Sequence, residues 1–191
     1  MIAGSWRCRL SRLARVLSSL ACMIVFVRAR VNAETATEYE IKAAFLYNFM
    51  RFVEWPREAV PDSTAPLVIG ILGTDPFGRV LDQILAEAHI ENHDIRAVRF
   101  QRLADVDSCH VLFVSPTERF ALSDILEELG QRPVLTVGET ADFAVSGGMI
   151  QFVLRDNKVR FEINLTAATQ AQLKISSRLL RLAIRVYDED R

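Results

Sequence analysis

Residues 66–86 read PLVIGILGTDPFGRVLDQILA, and this stretch decides the fold. Pro66 to Leu72 is a continuous apolar run without polar alternation, as expected of a strand buried on both faces. Gly73-Thr74-Asp75-Pro76 breaks the run. Over residues 76–88 the apolar side chains then fall at Phe77, Val80, Leu81, Ile84 and Leu85, a helical stripe. Similar segments follow downstream. Ile95 to Phe100 alternates apolar and polar residues, and His110 to Val114 is apolar. Residues 118–129 carry Phe120, Leu122, Ile125, Leu126 and Leu129 and close on Gly130, and Pro133 to Val137 is a further apolar strand. Apolar strands alternating with amphipathic helices imply an α/β fold, a mainly parallel sheet flanked by helices.

The last third changes character. Gly147-Gly148 opens a strand, Asp156-Asn157 supplies a two-residue turn, and residues 158–164 return as KVRFEIN. Paired across that turn, Leu154 faces Val159, Phe152 faces Phe161 and Ile150 faces Ile163. The other face sets Arg155 against Lys158, Val153 against Arg160, Gln151 against Glu162 and Met149 against Asn164. A slip of one residue would bury the charges, so the contrast between faces fixes the register of this C-terminal antiparallel hairpin. From Ser176 onward the spacing of Leu179, Leu182, Ala183 and Val186 predicts a final helix.

Upstream, residues 35–54 (TATEYEIKAAFLYNFMRFVE) predict a helix. Thr37 with Glu40, or Thr35 with Glu38, forms a capping box, and Glu38 with Lys42 is a favourable i,i+4 pair. Trp55-Pro56 ends it. Ile41, Phe45, Phe49 and Phe52 line one side and Leu46, Met50 and Val53 another, so this helix is either deeply buried or covered by a partner.

Composition divides the chain. Of 191 residues, 50% are hydrophobic and 25% charged, with a net charge of -1, enough for one domain with a real core. The first 33 residues hold six arginines and no acid, then an apolar run from Val16 to Val27, then Val31-Asn32-Ala33. This is the pattern of a cleaved secretory signal peptide over residues 1–33, with an uncleaved anchor as the alternative. A single domain over residues 34–191 would then set 17 basic residues against 24 acidic ones, a charge of -7. Bulk nucleic-acid binding is excluded on that balance. Cys8 and Cys22 leave with the leader, so Cys109 is unpaired within the mature chain.

Candidate chemistry is sparse. Gly70, Gly73 and Gly78 follow neither the dinucleotide nor the P-loop pattern and read as a tight turn. His89 and His93, beside Glu91 and Asp94, have helical metal-ligand spacing but fall on a loop or a fraying helix end. Cys109 and His110 are adjacent in a strand and so point to opposite faces, which suits a buried thiol better than a catalytic pair. Arg178, Arg181 and Arg185 share one face of the predicted last helix. With the polar hairpin face (Gln151, Arg160, Glu162 and Asn164) they make the best recognition surface the pattern offers, receiving a carboxylate, a phosphate or an acidic partner. No catalytic set, metal site or cofactor motif emerges, so the expectation is a binding protein and not an enzyme.

Residues 39–49 (YEIKAAFLYNF), followed by Phe52-Val53-Glu54-Trp55-Pro56, resemble the opening signature of the YfiR family of exported regulators. The likeness continues through Leu67 to Phe77, Cys109 to Ser115, Pro133 to Val137, Gly147 to Ile150, Val159 to Leu165 and Ile175 to Ala183, in collinear order. The resemblance implies a periplasmic, non-enzymatic, dimeric regulator without cofactors. It would bind the periplasmic part of an inner-membrane diguanylate cyclase, lowering cyclic di-GMP and biofilm formation. An outer-membrane lipoprotein would release that cyclase by capturing the regulator. Contacts are expected from Tyr47 and Trp55 of the first helix region, the hairpin residues Arg160, Glu162 and Asn164, and Arg178 and Arg181. The family's redox-linked disulfides do not carry over, because Cys109 has no mature partner. The alternative is a small-ligand sensor feeding a sensor kinase or another membrane system, its solute held near Arg160, Glu162 and Arg178.

Overall fold

The computed structural model describes residues 38–60, 65–106 and 108–188. The leader over residues 1–33 and the capping residues Thr35 and Thr37 lie outside them. No helix among the described residues is long and apolar enough to cross a membrane.

The chain begins with α1 (38–52), runs into the short strand β1 (Val53–Glu54), and then enters the parallel sheet. There follow β2 (Leu67–Leu72), α2 (Arg79–Ala86), β3 (His89–Ile90), β4 (His93–Phe100), β5 (Val111–Val114), α3 (Leu122–Leu129) and β6 (Leu135–Gly138). The last third contains β7 (Ile150–Arg155), β8 (Lys158–Asn164), α4 (Leu165–Gln170), β9 (Lys174–Ile175), α5 (Ser177–Leu180) and β10 (Arg185–Tyr187). Eight strands form one sheet in the order β10-β8-β7-β6-β5-β2-β4-β3, and β1 pairs with β9 in a second, two-stranded sheet. From β4 across β2, β5 and β6 to β7 every pairing is parallel. The expected mainly parallel α/β sheet flanked by helices is therefore the fold of this chain.

Six hairpin pairs fall in the expected register, from Arg155 opposite Lys158 to Ile150 opposite Ile163. Asp156 and Asn157 take positive φ values of 50° and 57°, the geometry of a two-residue turn that matches strand twist. Phe152, Phe161, Ile150 and Ile163 are buried, whereas Leu154, beside the turn, is exposed.

The sheet has two apolar sides. On one, Ile69, Ile71, Val111, Phe113, Val137, Phe152 and Phe161 pack with Leu46 and Phe49 of α1, Leu81 and Leu85 of α2, and Leu179 of α5. On the other, Leu72, Leu112 and Val114 pack with Leu122, Ile125 and Leu129 of α3 and with Phe143. The nearly all-apolar α1 is explained by burial: Ala43, Leu46, Phe49 and Met50 are at most 2% exposed, while Ile41 remains at 42%. Phe45 and Phe49 meet Phe152 and Phe161 at ring-centroid distances of 5.1–6.1 Å.

Several expectations need correction. The predicted final helix is a single turn: Ile184 N–H donates to Phe161 O, and Arg185–Tyr187 then run parallel to Glu162–Asn164 as the edge strand. The open edge of β8 claims residues whose spacing also suits a helix, so Leu182 and Val186 stand exposed instead of forming a core stripe. Val53 and Glu54, expected in the first helix, pair with Ile175 and Lys174. His89 lies on a strand, in a small antiparallel pairing with Asp94. Phe120 precedes α3 and is 88% exposed, with the Arg119 guanidinium 4.3 Å from its ring centroid.

The loop from β6 to β7 is closed by Phe143, whose ring fills the space over two glycines. A Cβ added at Gly148 would sit 2.1 Å from that ring, and one at Gly138 2.5 Å from it. Gly148→Ala is expected to cost about 1–3 kcal/mol of stability through overpacking, measured by urea denaturation. An unchanged midpoint would show that Phe143 has room to retreat.

Candidate functional site

In open parallel sheets ligands bind beyond the carboxyl ends of the strands, at the point where strand order reverses. Here that point lies between β2 and β5, because β4 is added on one side of β2 and β5 on the other. The chain's own polar groups fill this end. Asp75 Oδ1 accepts from the N–H groups of Phe77 (2.7 Å) and Gly78 (3.2 Å), so the glycine-bearing loop spends its donors on its own carboxylate. Arg99 bonds Asp75 at 2.9 Å and grips both oxygens of Asp82 at 2.6 and 2.8 Å. Thr117 Oγ1 accepts from Thr74 N–H at 3.2 Å. After β6, Glu139 receives the Lys42 ammonium and the Tyr39 hydroxyl of α1, the latter at 2.9 Å.

Lys42 and Glu139 are a buried ion pair, their side chains 6% and 11% exposed. The ammonium of Lys42, the i,i+4 neighbour of Glu38 in the helix, reaches Glu139 in a loop far away in sequence. Glu139 follows a buried strand with no periodic signal of its own, so nothing in the pattern marks it.

The residues singled out from sequence separate into groups. Arg160, Glu162 and Asn164 lie on the face of β8 opposite the Val159, Phe161 and Ile163 side chains that meet α1. Glu162 Oε2 accepts from Tyr187 Oη at 2.8 Å, and Arg185 Nη1 donates to that hydroxyl at 3.2 Å. The hydrogen bond to Tyr187 raises the Arg185 pKa further above its ordinary value. This Glu162–Tyr187–Arg185 chain was not foreseen, because it requires β10 to be a strand. Arg160 is exposed beside it. Asn164 uses both ends of its amide locally, Oδ1 accepting from Ala167 N–H at 2.9 Å to cap α4 and Nδ2 donating to Ala144 O at 2.7 Å. Gln151, the neighbouring polar residue, is 8% exposed and accepts from Ala144 N–H.

Arg178 and Arg181 are exposed at α5, whose Leu179 belongs to the α1 side of the sheet. They do not share a helix face with Arg185. Tyr47 is half-buried with Arg51 5.7 Å from its ring centroid. Trp55 lies near the amino ends of β2 and β5, its ring 6.2 Å from that of His110.

Cys109 and His110 do point to opposite faces. Cys109 is 8% exposed, sits in the α3-side cluster and donates to Val111 O at 2.8 Å. Burial pushes its thiol up to about 12. His110, 7% exposed, accepts from Val68 N–H through Nδ1 at 3.0 Å. Burial is the main cause holding its pKa below the ordinary histidine value, against the pull of the Ala59 carbonyl. His89 pairs with Asp94 at 3.0 Å, while His93 Nδ1 bonds Ala65 O at 2.9 Å. Among the described residues no group of three or more His, Cys, Asp or Glu is placed to hold a metal.

A protein-family model described as YfiR/HmsC-like matches residues 39–184. No curated protein matches the chain. A solved structure, that of a conserved domain protein from Vibrio cholerae O1 biovar eltor, is similar in fold with a TM-score of 0.53 at 13% identity. The match covers 78% of this chain and spans 60% of the length of that one.

Two outcomes follow from the buried groups. Lys42→Met leaves the Glu139 carboxylate without its cation, held by the Tyr39 hydroxyl, and is expected to cost about 3–5 kcal/mol, whereas pairing it with Glu139→Gln should recover much of the loss in the same denaturation experiment. The folded Cys109 thiol keeps its proton to about pH 12, while an unfolded one releases it near 9. Its contribution to stability is therefore intact below about pH 9 and lost as pH rises towards 12. Peptide mapping after iodoacetamide at pH 8 should find Cys109 unmodified in the folded chain and alkylated in urea.

Proposed function

Since the chain belongs to the YfiR/HmsC-like family, we propose that it is a periplasmic, non-catalytic regulator of cyclic di-GMP signalling. It binds the periplasmic part of an inner-membrane signalling protein, a diguanylate cyclase, and holds it inactive. The observation that carries this reading is the extent of the match, which runs from Tyr39 in α1 to Ile184 just before the edge strand. The closed carboxyl end of the sheet supports a role without catalysis, because the place where such sheets receive substrates is occupied by Arg99, Asp75, Glu139 and Lys42.

Such a regulator works by differential affinity: it shifts its partner's equilibrium only as far as it binds one state more tightly than the other. Its contact surface is formed by exposed arginines at the β8–β10 edge and α5, namely Arg160, Arg178, Arg181 and Arg185. These stand out on an otherwise acidic domain and suit an acidic surface on the partner. The regulator acts as a homodimer after export, and an outer-membrane lipoprotein competes for it.

Arg178→Glu with Arg181→Glu reverses two charges without touching the buried Leu179. The pair is expected to weaken binding to the purified periplasmic domain of the cyclase by about 10- to 100-fold and to raise cellular cyclic di-GMP, with the circular dichroism spectrum unchanged. Binding unaltered by both reversals would move the interface elsewhere.

A further inference from the structure

Two buried hydrogen-bond donors lie side by side without an acceptor. Trp55 Nε1 and His110 Nε2 are both shielded from solvent and have no hydrogen-bond partner among the described residues. The tautomer of His110 follows from its other nitrogen: Nδ1 accepts from Val68 N–H, so the ring proton sits on Nε2, which is a donor. Buried N–H groups in folded proteins are nearly always paired, and each one left unpaired disfavours the folded state. The Ala59 carbonyl draws on the His110 ring without forming a hydrogen bond to Nε2, so neither donor has an acceptor in place among the described residues.

The two rings line a cavity of about 330 Å³ at the amino ends of β2 and β5, opposite the end closed by Arg99 and Glu139. Met50, Val53, Val60, Leu67 and Ile90 give its wall an apolar part, and His93 adds a second imidazole. Arg51, Glu54 and Glu91 are exposed at its edge. That volume is at the small end of the range for ligand sites, and an apolar wall with a few convergent polar groups is their usual lining. Trp55 also borders a second cavity of about 360 Å³, lined by Pro56, Arg57, Gln172 and Lys174 among others. Trp55 therefore borders both spaces.

We propose that this cavity is a small-molecule site, separate from the arginine surface, which takes a compact, largely apolar ligand bearing an acceptor oxygen. Trp55 and His110 donate to that oxygen, and the Trp55 ring moves to admit it. A carboxylate and a neutral carbonyl share the chemistry the two donors need.

The experiment uses the full chain carrying Trp6→Phe, so that Trp55 is the remaining tryptophan. Benzoate, acetophenone and ethylbenzene are titrated while Trp55 fluorescence and the indole Nε1–H resonance are followed by NMR. Saturable binding of benzoate, of acetophenone or of both, with a downfield shift of the indole proton and ethylbenzene at least about tenfold weaker, supports the site. Which of the two binds identifies the oxygen as carboxylate or carbonyl. Equal binding of all three, or no saturable response to any, overturns it. His110→Asn keeps an acceptor for Val68 N–H but removes the Nε2 donor, and should weaken the preferred probe by about tenfold. If that variant fails to fold, the indole shift in the unaltered cavity decides alone. Loss of cyclase binding in the arginine variant has no bearing on this result, so the two readings fail separately.

Discussion

The contact between α1 and the β7–β8 hairpin organises one whole side of the sheet. Phe45 and Phe49 from the helix meet Phe152 and Phe161 from the hairpin, and the rings pack stacked, tilted and edge to face. Aromatic pairs of this kind contribute about 0.5–1.5 kcal/mol each beyond the area they bury. The register of the hairpin decides which rings point at α1, and α1 in turn covers the strands that β7 and β8 extend. At its start, Lys42 and Tyr39 tie the helix to Glu139 at the end of β6. Hydrophobic burial supplies the affinity of helix for sheet, and the ion pair sets its position along the strands.

The same arrangement separates two ends of the molecule. The carboxyl ends of the parallel strands are held by carboxylates already satisfied within the chain. The amino ends leave a cavity with donors unmatched. The two ends of one sheet therefore differ in kind, one closed by internal ion pairs and the other opening on an apolar recess beside Trp55.

Much of this was legible in the sequence, for local reasons. The hairpin could be read residue by residue, because a two-residue turn fixes register and the two faces differ sharply in polarity. The parallel strands were legible because burial on both faces leaves an unbroken apolar run. What failed was non-local. Leu179, Leu182, Ala183 and Val186 have helical spacing, and only the unpaired edge of β8 turns the last of them into a strand. The Glu162–Tyr187–Arg185 chain depends on that strand, so it was hidden with it. Glu139 was invisible because its partner lies 97 residues away. The orphaned nitrogens of Trp55 and His110 could not be anticipated, since an unmet hydrogen bond has no sequence pattern.

The thiol of Cys109 has a consequence of a different sort. A Cβ at Gly70 would lie 2.7 Å from its sulfur, so the bare backbone of β2 and the side chain at 109 occupy one shared volume. Phe100 and Leu112 would meet the same Cβ at 2.8 and 2.9 Å, so three side chains together hold position 70 to glycine. The Cys109 side chain thus acts as a buried spacer, its shape matched to the bare backbone of β2, that happens to contain sulfur.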